Sequence, residues 1–246
     1  MKKIFALFLL LTFLSGCSCS SGIKENKSPA KNYENEVAKI MQIYPENPET
    51  AKTTLKALDT ELITAPATNV YRQPDKRSAE REYRLSVYSF RKADSDLIYL
   101  QWLLIPGDDK HFSGPLDYVS LEWDADYASY YASSGDETIS TVQGRNTGIV
   151  LFNMEDNKLG KEKITYGTVQ VTGKENETIP FGSKFTHTYA PFSISGSAPC
   201  SFAPSDTINE NGEESLGLSH IMGYTVAEGR NIAKWVLWTE SALNFS

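Results

Sequence analysis

Apolar and polar residues fall into three successive textures along the chain. The first is an apolar run from Ile4 to Leu14, broken only by Thr12 and preceded by the positive pair Lys2 and Lys3. The second begins at Tyr33. Val37, Ile40, Met41 and Tyr44 recur at i, i+3, i+4 and i+7, the spacing of one helical face. Pro45 and Pro48 end that helix. Asn47, Pro48 and Glu49 then open another, as N-cap, first helical residue and first-turn acid. Ala51, Leu55, Leu58 and Leu62 carry its apolar face to about Ile63. Each stripe is too narrow for a helix that stands alone, so both must pack on something.

The third texture follows a polar connection at residues 66–81 and has a period of two. Residues 82–90 alternate Tyr83, Leu85 and Val87 against Arg84, Ser86 and Tyr88, a half-buried strand. Residues 97–105 are apolar on both faces except at Gln101, which marks the most buried, central strand. Residues 117–123, 138–143, 148–154 and 163–172 continue the alternation, with turn signals at 106–109 and 155–160. Residues 173–217 are the least patterned, with Pro180, Pro191, Pro199 and Pro204, and read as a long irregular segment. Residues 218–227 and 232–239 read as a final hairpin whose last strand is interior. The fold class expected is mainly β, an antiparallel β-sandwich or barrel-like domain preceded by two short α-helices.

Four parts follow from this pattern: residues 1–16, 17–32, 33–64 and 80–246. The stretch 17–32 is rich in Ser, Gly, Lys, Asn and Pro and reads as a flexible tether. The helical pair at 33–64 is expected to pack on the main domain, 80–246. Apolar residues make up 40% of the chain and aromatics 11%, which suits a folded domain rather than disorder.

The apolar run closes on Leu14-Ser15-Gly16-Cys17. A positive head, an apolar centre of this length and small residues at its end form an export signal. The final four residues resemble the lipobox of bacterial lipoprotein signal peptides. That resemblance covers the signal alone. It implies a diacylglyceryl group on the Cys17 sulfur, cleavage before Cys17 and acylation of the new amino terminus. More than one acyl chain at one residue meets the requirement for stable anchoring. The expected place is the bacterial cell envelope. Ser18 in the sorting position favours the outer membrane where the cell has one.

The chain carries 24 basic and 31 acidic residues, and loss of Lys2 and Lys3 with the signal takes the net charge from −7 to −9. That balance excludes an electrostatic partnership with nucleic acid or with anionic lipid. Attachment to the membrane therefore rests on the lipid. Partners of the domain are expected to be an envelope protein or a glycan.

Signatures of chemistry are sparse. His111, His187 and His220 form no His-x-x-x-His spacing, so no metal site is expected. No Gly-x-Ser-x-Gly elbow, phosphate loop or dinucleotide fingerprint occurs, and no cofactor is expected. Residues 206–214 depart from the calcium-loop pattern at its first acidic positions. Cys19 lies in the tether, and Cys200 is read as a loop or buried thiol with no bridge between them. The catalytic alternative is an envelope hydrolase assembled in the fold from His187, His220 and Cys200. The preferred reading is a non-catalytic binding or scaffolding module. Its candidate binding residues are Trp123, Tyr127 and Tyr130, in an aromatic cluster between strands, and Phe185, His187 and Tyr189 in the irregular segment. Tyr127, Ser129 and Tyr131 are also consistent with one face of an extra strand, with Tyr130 on the other.

Overall fold

The computed structural model describes residues 29–67, 71–73, 84–105, 117–143, 148–155, 164–173, 177–188, 194–197, 201–208, 214–221, 224–226 and 234–244. Two helices come first, α1 (Pro29–Ile43) and α2 (Pro48–Ala57). The strands are β1 (Thr60–Ala67), β2 (Tyr71–Gln73), β3 (Arg84–Lys92), β4 (Ile98–Ile105), β5 (Asp117–Trp123), β6 (Ala128–Gly135), β7 (Ile139–Gln143) and β8 (Ile149–Met154). They continue as β9 (Thr165–Gly173), β10 (Thr178–Thr188), β11 (Ile194–Ser197), β12 (Ser201–Ile208), β13 (Glu214–Ile221), β14 (Tyr224–Val226) and β15 (Lys234–Asn244). A five-stranded sheet has the order β1-β3-β4-β9-β6, and a six-stranded sheet the order β2-β15-β10-β5-β8-β7. Every described pairing is antiparallel, and neither sheet closes on itself. The protein is an antiparallel sandwich preceded by two short helices.

Alternation along the strands builds the core between the two sheets. Leu85 and Val87 of β3, Leu100, Trp102 and Leu104 of β4, Val119 and Leu121 of β5, and Phe181 and Phe185 of β10 meet there. The intervening residues of β3, β4 and β9 face the other way. Tyr88, Phe90, Tyr99, Leu103 and Tyr166 form a second cluster with Val37, Ala38, Ile40, Met41, Ala51 and Leu55 of the helices. The five-stranded sheet is thus covered on both faces, which is why β4 reads apolar throughout. Gly167 pairs with Trp102, and a Cβ there would lie 2.5 Å from the indole Nε1. The position belongs to glycine because the indole occupies the space of a side chain.

Several elements differ from the sequence pattern. Helix α1 starts at Pro29, earlier than Tyr33. Helix α2 stops at Ala57, where Leu58 N–H bonds back to Leu55 O and Asp59 takes φ 51°. Leu62 and Ile63 therefore belong to β1 rather than to a helix, and the sheets begin at Thr60. The largest difference lies in residues 173–217. Thr178–Thr188 is an eleven-residue strand in the middle of the six-stranded sheet, between β15 and β5. Its inner face reads Ile179, Phe181, Ser183 and Phe185; Ser183 interrupts the apolar row and donates to Ser120 O at 2.7 Å. Pro180 and Gly182 on the other face hide the alternation further. The expected final hairpin is absent too: β13 pairs with β12, β14 with β11, and β15 with β10 and β2. The last strand is interior.

Candidate functional site

The chain leaves β5 through a corner fixed by backbone bonds. Trp123 N–H donates to Gly148 O at 2.8 Å, and its indole Nε1 donates to Ala128 O at 2.9 Å. Gly148 has φ 73°, and a Cβ there would come within 2.3 Å of Trp123 O, so only glycine fits. Asp124 Oδ1 accepts from Asp126 N–H at 2.9 Å, an Asx turn. Asp124 O accepts from the N–H groups of Tyr127 and Ala128. The turn delivers the chain into β6, the edge strand of its sheet.

Along β6 the aromatic residues divide. The Tyr130 ring stacks near Trp123, with centroids 6.4 Å apart and 22° between planes. Tyr131 is an extra residue: Tyr130 pairs with Val171, and Ala132 with the next residue back, Gln170. That bulge blunts an edge open to other strands. Tyr127 stays 37% exposed and Tyr131 63%, and Ser129 between them is exposed as well. At the Trp123 corner lies a shallow cleft of about 230 Å³ lined by Trp123, Ala125, Ala128, Ser129, Tyr130 and Gly148.

The structure brings three of the expected binding residues, Trp123, Tyr127 and Tyr130, to this corner. Trp123 is buried in the core, with Tyr130 packed against it. Phe185 is fully buried, paired in register with Val119 and Leu237, and offers no surface to a ligand. It was expected in an irregular loop, and instead packs the sandwich. His187 lies in β10 opposite Trp235, and His220 in β13 opposite Phe202, in different sheets. Tyr189, Cys200, Cys19 and Cys17 lie outside the described residues. Among the described residues no group of three or more His, Cys, Asp and Glu side chains is placed to hold a metal ion. No helix among them is long and apolar enough to cross a membrane.

One group carried no sequence signal. Glu34 of α1 is fully buried over the outer face of the five-stranded sheet. Its carboxylate accepts from Ser134 Oγ of β6 and from Gln170 Nε2 at 3.1 Å. Its backbone carbonyl accepts from Gln101 Nε2, which also donates to Thr168 Oγ1 at 2.7 Å. Gln101 Oε1 accepts from the Tyr88 hydroxyl. The bulge at Tyr131 shifts the register that puts Ser134 on the face toward Glu34. Burial raises the Tyr99 hydroxyl above its ordinary range, helped by Glu34 and then Tyr131. Burial likewise pushes Tyr166 far up, with Glu34 and Asp136 adding to the effect. Asp136, at the end of β6, is raised by burial against the opposing bonds from Thr138 and the Tyr166 N–H.

The family of prokaryotic membrane lipoprotein lipid attachment sites matches residues 1–18. The amino terminus is a bacterial lipoprotein signal, and the protein is a membrane-anchored lipoprotein of the cell envelope. No characterised protein matches the sequence. Two solved structures show a loose likeness. One is the sixth cohesin of Acetivibrio cellulolyticus scaffoldin B, in complex with a mutant Cel5 dockerin: TM-score 0.28, 9% identity, 36% of this chain and 74% of that one. The other is the seventh ScaB type I cohesin of Pseudobacteroides cellulosolvens: TM-score 0.28, 11% identity, 39% of this chain and 77% of that one. A likeness at this level carries no inference about partners.

Proposed function

We propose that this lipoprotein is a non-catalytic binding or scaffolding module. Its sandwich holds a further envelope component, a protein or a glycan, against the tyrosine edge of β6. Cys17 carries the lipid, and Ser18 favours the outer membrane where two membranes exist. The observation that carries the reading is the exposure of two tyrosines, Tyr127 and Tyr131, around a corner that Trp123 and Gly148 pin in place. Aromatic side chains exposed on a rigid frame supply large contact area at low entropic cost, and tyrosine is enriched where partners bind.

The test uses affinity isolation from detergent-solubilised envelopes. The wild-type protein and a Tyr127→Ala/Tyr131→Ala variant are compared, with thermal melting as the control for folding. A component retained by the wild type and lost by an equally stable variant supports the reading. Identical retention by both variants removes the tyrosine edge as the site.

A further inference from the structure

Strand β6 carries one residue more than the stretch of β9 it pairs with. Ala128, Ser129 and Tyr130 pair with Gly173, Thr172 and Val171, and the run from Ala132 to Gly135 pairs with Gln170 back to Gly167, which leaves Tyr131 over. Both ends are fixed. At the start, the Trp123 indole donates to Ala128 O, Ala128 lies in the core and the Tyr130 ring stacks near Trp123. At the finish, Gly135 has no room for a Cβ beside Ile139. There Asp136 N–H donates to Tyr166 O, and the Asp136 carboxylate accepts from Tyr166 N–H. A strand held at both ends with a residue too many must bulge somewhere between them. Ala132, Ser133 and Ser134 are small and can change face at little cost, so length alone does not place the bulge.

The buried carboxylate of Glu34 places it. Partners in an antiparallel pair share a face, so Ala132 stands beside Gln170 and Ser134, two residues on, beside Thr168. Gln170 Nε2 donates to Glu34 Oε1 at 3.1 Å, and Ser134 Oγ donates to Glu34 Oε2. One carboxylate oxygen thus holds β9 and the other holds β6. The fully buried Glu34 side chain covers the position beside Gln170, and the Ala132 methyl fits under it. With the bulge at Ser133 instead, Tyr131 would pair with Gln170 and Ala132 with Val169, while Ser134 and Gly135 would keep their partners. The Tyr131 ring would then need the volume that the Glu34 carboxylate fills. We infer that Glu34 is a positioning residue for the candidate site: docking of α1 fixes the bulge at Tyr131 and keeps that ring out of the ladder. Its bearing on recognition rests on the tyrosine edge being the binding surface; the clamp itself does not.

Nitration of the full lipidated chain in membranes by tetranitromethane, mapped by mass spectrometry, reads the exposure of each ring, with Tyr127 as the internal reference. In the wild type Tyr131 should react ahead of the half-buried Tyr130. Glu34→Ala should bring Tyr131 down to the level of Tyr130 and leave Tyr127 unchanged. Glu34→Gln has the same shape and can accept from Gln170 and donate to Ser134, so it should react as the wild type does. Two deletions decide the matter even where Glu34→Ala does not fold, because each removes the surplus residue from β6. Loss of Tyr131 leaves Ala132 beside Gln170, whereas loss of Ser133 forces Tyr131 into that position. The chain without Tyr131 should melt at the higher temperature. Undiminished nitration of Tyr131 in a folded Glu34→Ala protein, or an equal or reversed order of the two melting points, overturns the clamp whatever the edge binds. Reduced nitration with undiminished retention of an envelope component by the same variant supports the clamp and removes Tyr131 from the recognition surface.

Discussion

Removing the helical layer is the sharpest perturbation of the fold. Helices α1 and α2 cover Tyr88, Phe90, Tyr99, Leu103 and Tyr166 on the outer face of the five-stranded sheet. Burying a large apolar side chain contributes about 1.5–3 kcal/mol. Five such residues amount to about 8–15 kcal/mol, an upper estimate because unfolded chains already bury some surface. Net stabilities of whole domains are about 5–15 kcal/mol, so the layer is of the same order as the margin of folding. A chain starting at Thr60 should therefore show no cooperative melting transition by circular dichroism and should bind a hydrophobic dye. A chain starting at Pro29 should melt cooperatively. Leu55→Ala provides the graded version: it removes one buried contact from α2 and should cost about 2–5 kcal/mol. At about 2–4 °C per kcal/mol for a domain of this size, the melting point should fall by about 4–20 °C. Equal melting points for the chains starting at Thr60 and Pro29 would refute the claim that the helices belong to the core.

Gly167→Ala sets a methyl group against the Trp102 indole and should cost about 1–3 kcal/mol, read as a lowered melting point; an unchanged one contradicts the packing described. Tyr88, Tyr99 and Tyr166 have hydroxyl pKa values raised by burial. The unfolded chain therefore loses these protons first, and the stability they contribute is present below pH 10 and lost as pH rises through their folded values. Absorbance at 295 nm should lag the titration of free tyrosine and rise together with unfolding; a simple titration of all tyrosines near pH 10 contradicts this. Burial also raises Asp136 above the ordinary carboxyl value of 3.8, so the folded state binds its proton more tightly and the contribution of this group falls as pH rises through that window. The stability advantage of wild type over Asp136→Asn should shrink from pH 3.5 to pH 6, measured by urea denaturation; an advantage that grows reverses the sign.

Much of the architecture was legible because apolar periodicity survives wherever burial is one-sided. Val37, Ile40 and Met41 mark the buried face of α1, and Leu85 and Val87 the inner face of β3. Two-sided burial was legible in β4 for a related reason: an uninterrupted apolar run needs cover on both faces. The pattern failed where hydrogen bonding replaces apolar contact. Ser183 stands at an inner position of β10 and bonds Ser120 O, so the central strand looked irregular and Phe185 looked like a loop residue. Leu62 fitted the stripe of α2 because its spacing from Leu55 and Leu58 is helical, whereas Asp59 at φ 51° turns the chain into β1. At the candidate site the cluster Trp123, Tyr127 and Tyr130 was visible in the sequence. The bulge that swings Tyr131 outward was not, because it depends on the partner strand β9. Glu34 gave no signal at all, since its partners Ser134 and Gln170 lie about 100 or more positions along the chain.

The place of the domain in the cell depends on Cys17. Mass spectrometry of the amino-terminal peptide, taken from the membrane fraction of cells making the full chain, tests this most directly. A diacylglyceryl-modified peptide beginning at Cys17, with the protein in the membrane fraction, is the expected result. An unmodified peptide beginning elsewhere, with the protein in the soluble fraction, would contradict a lipid-anchored module.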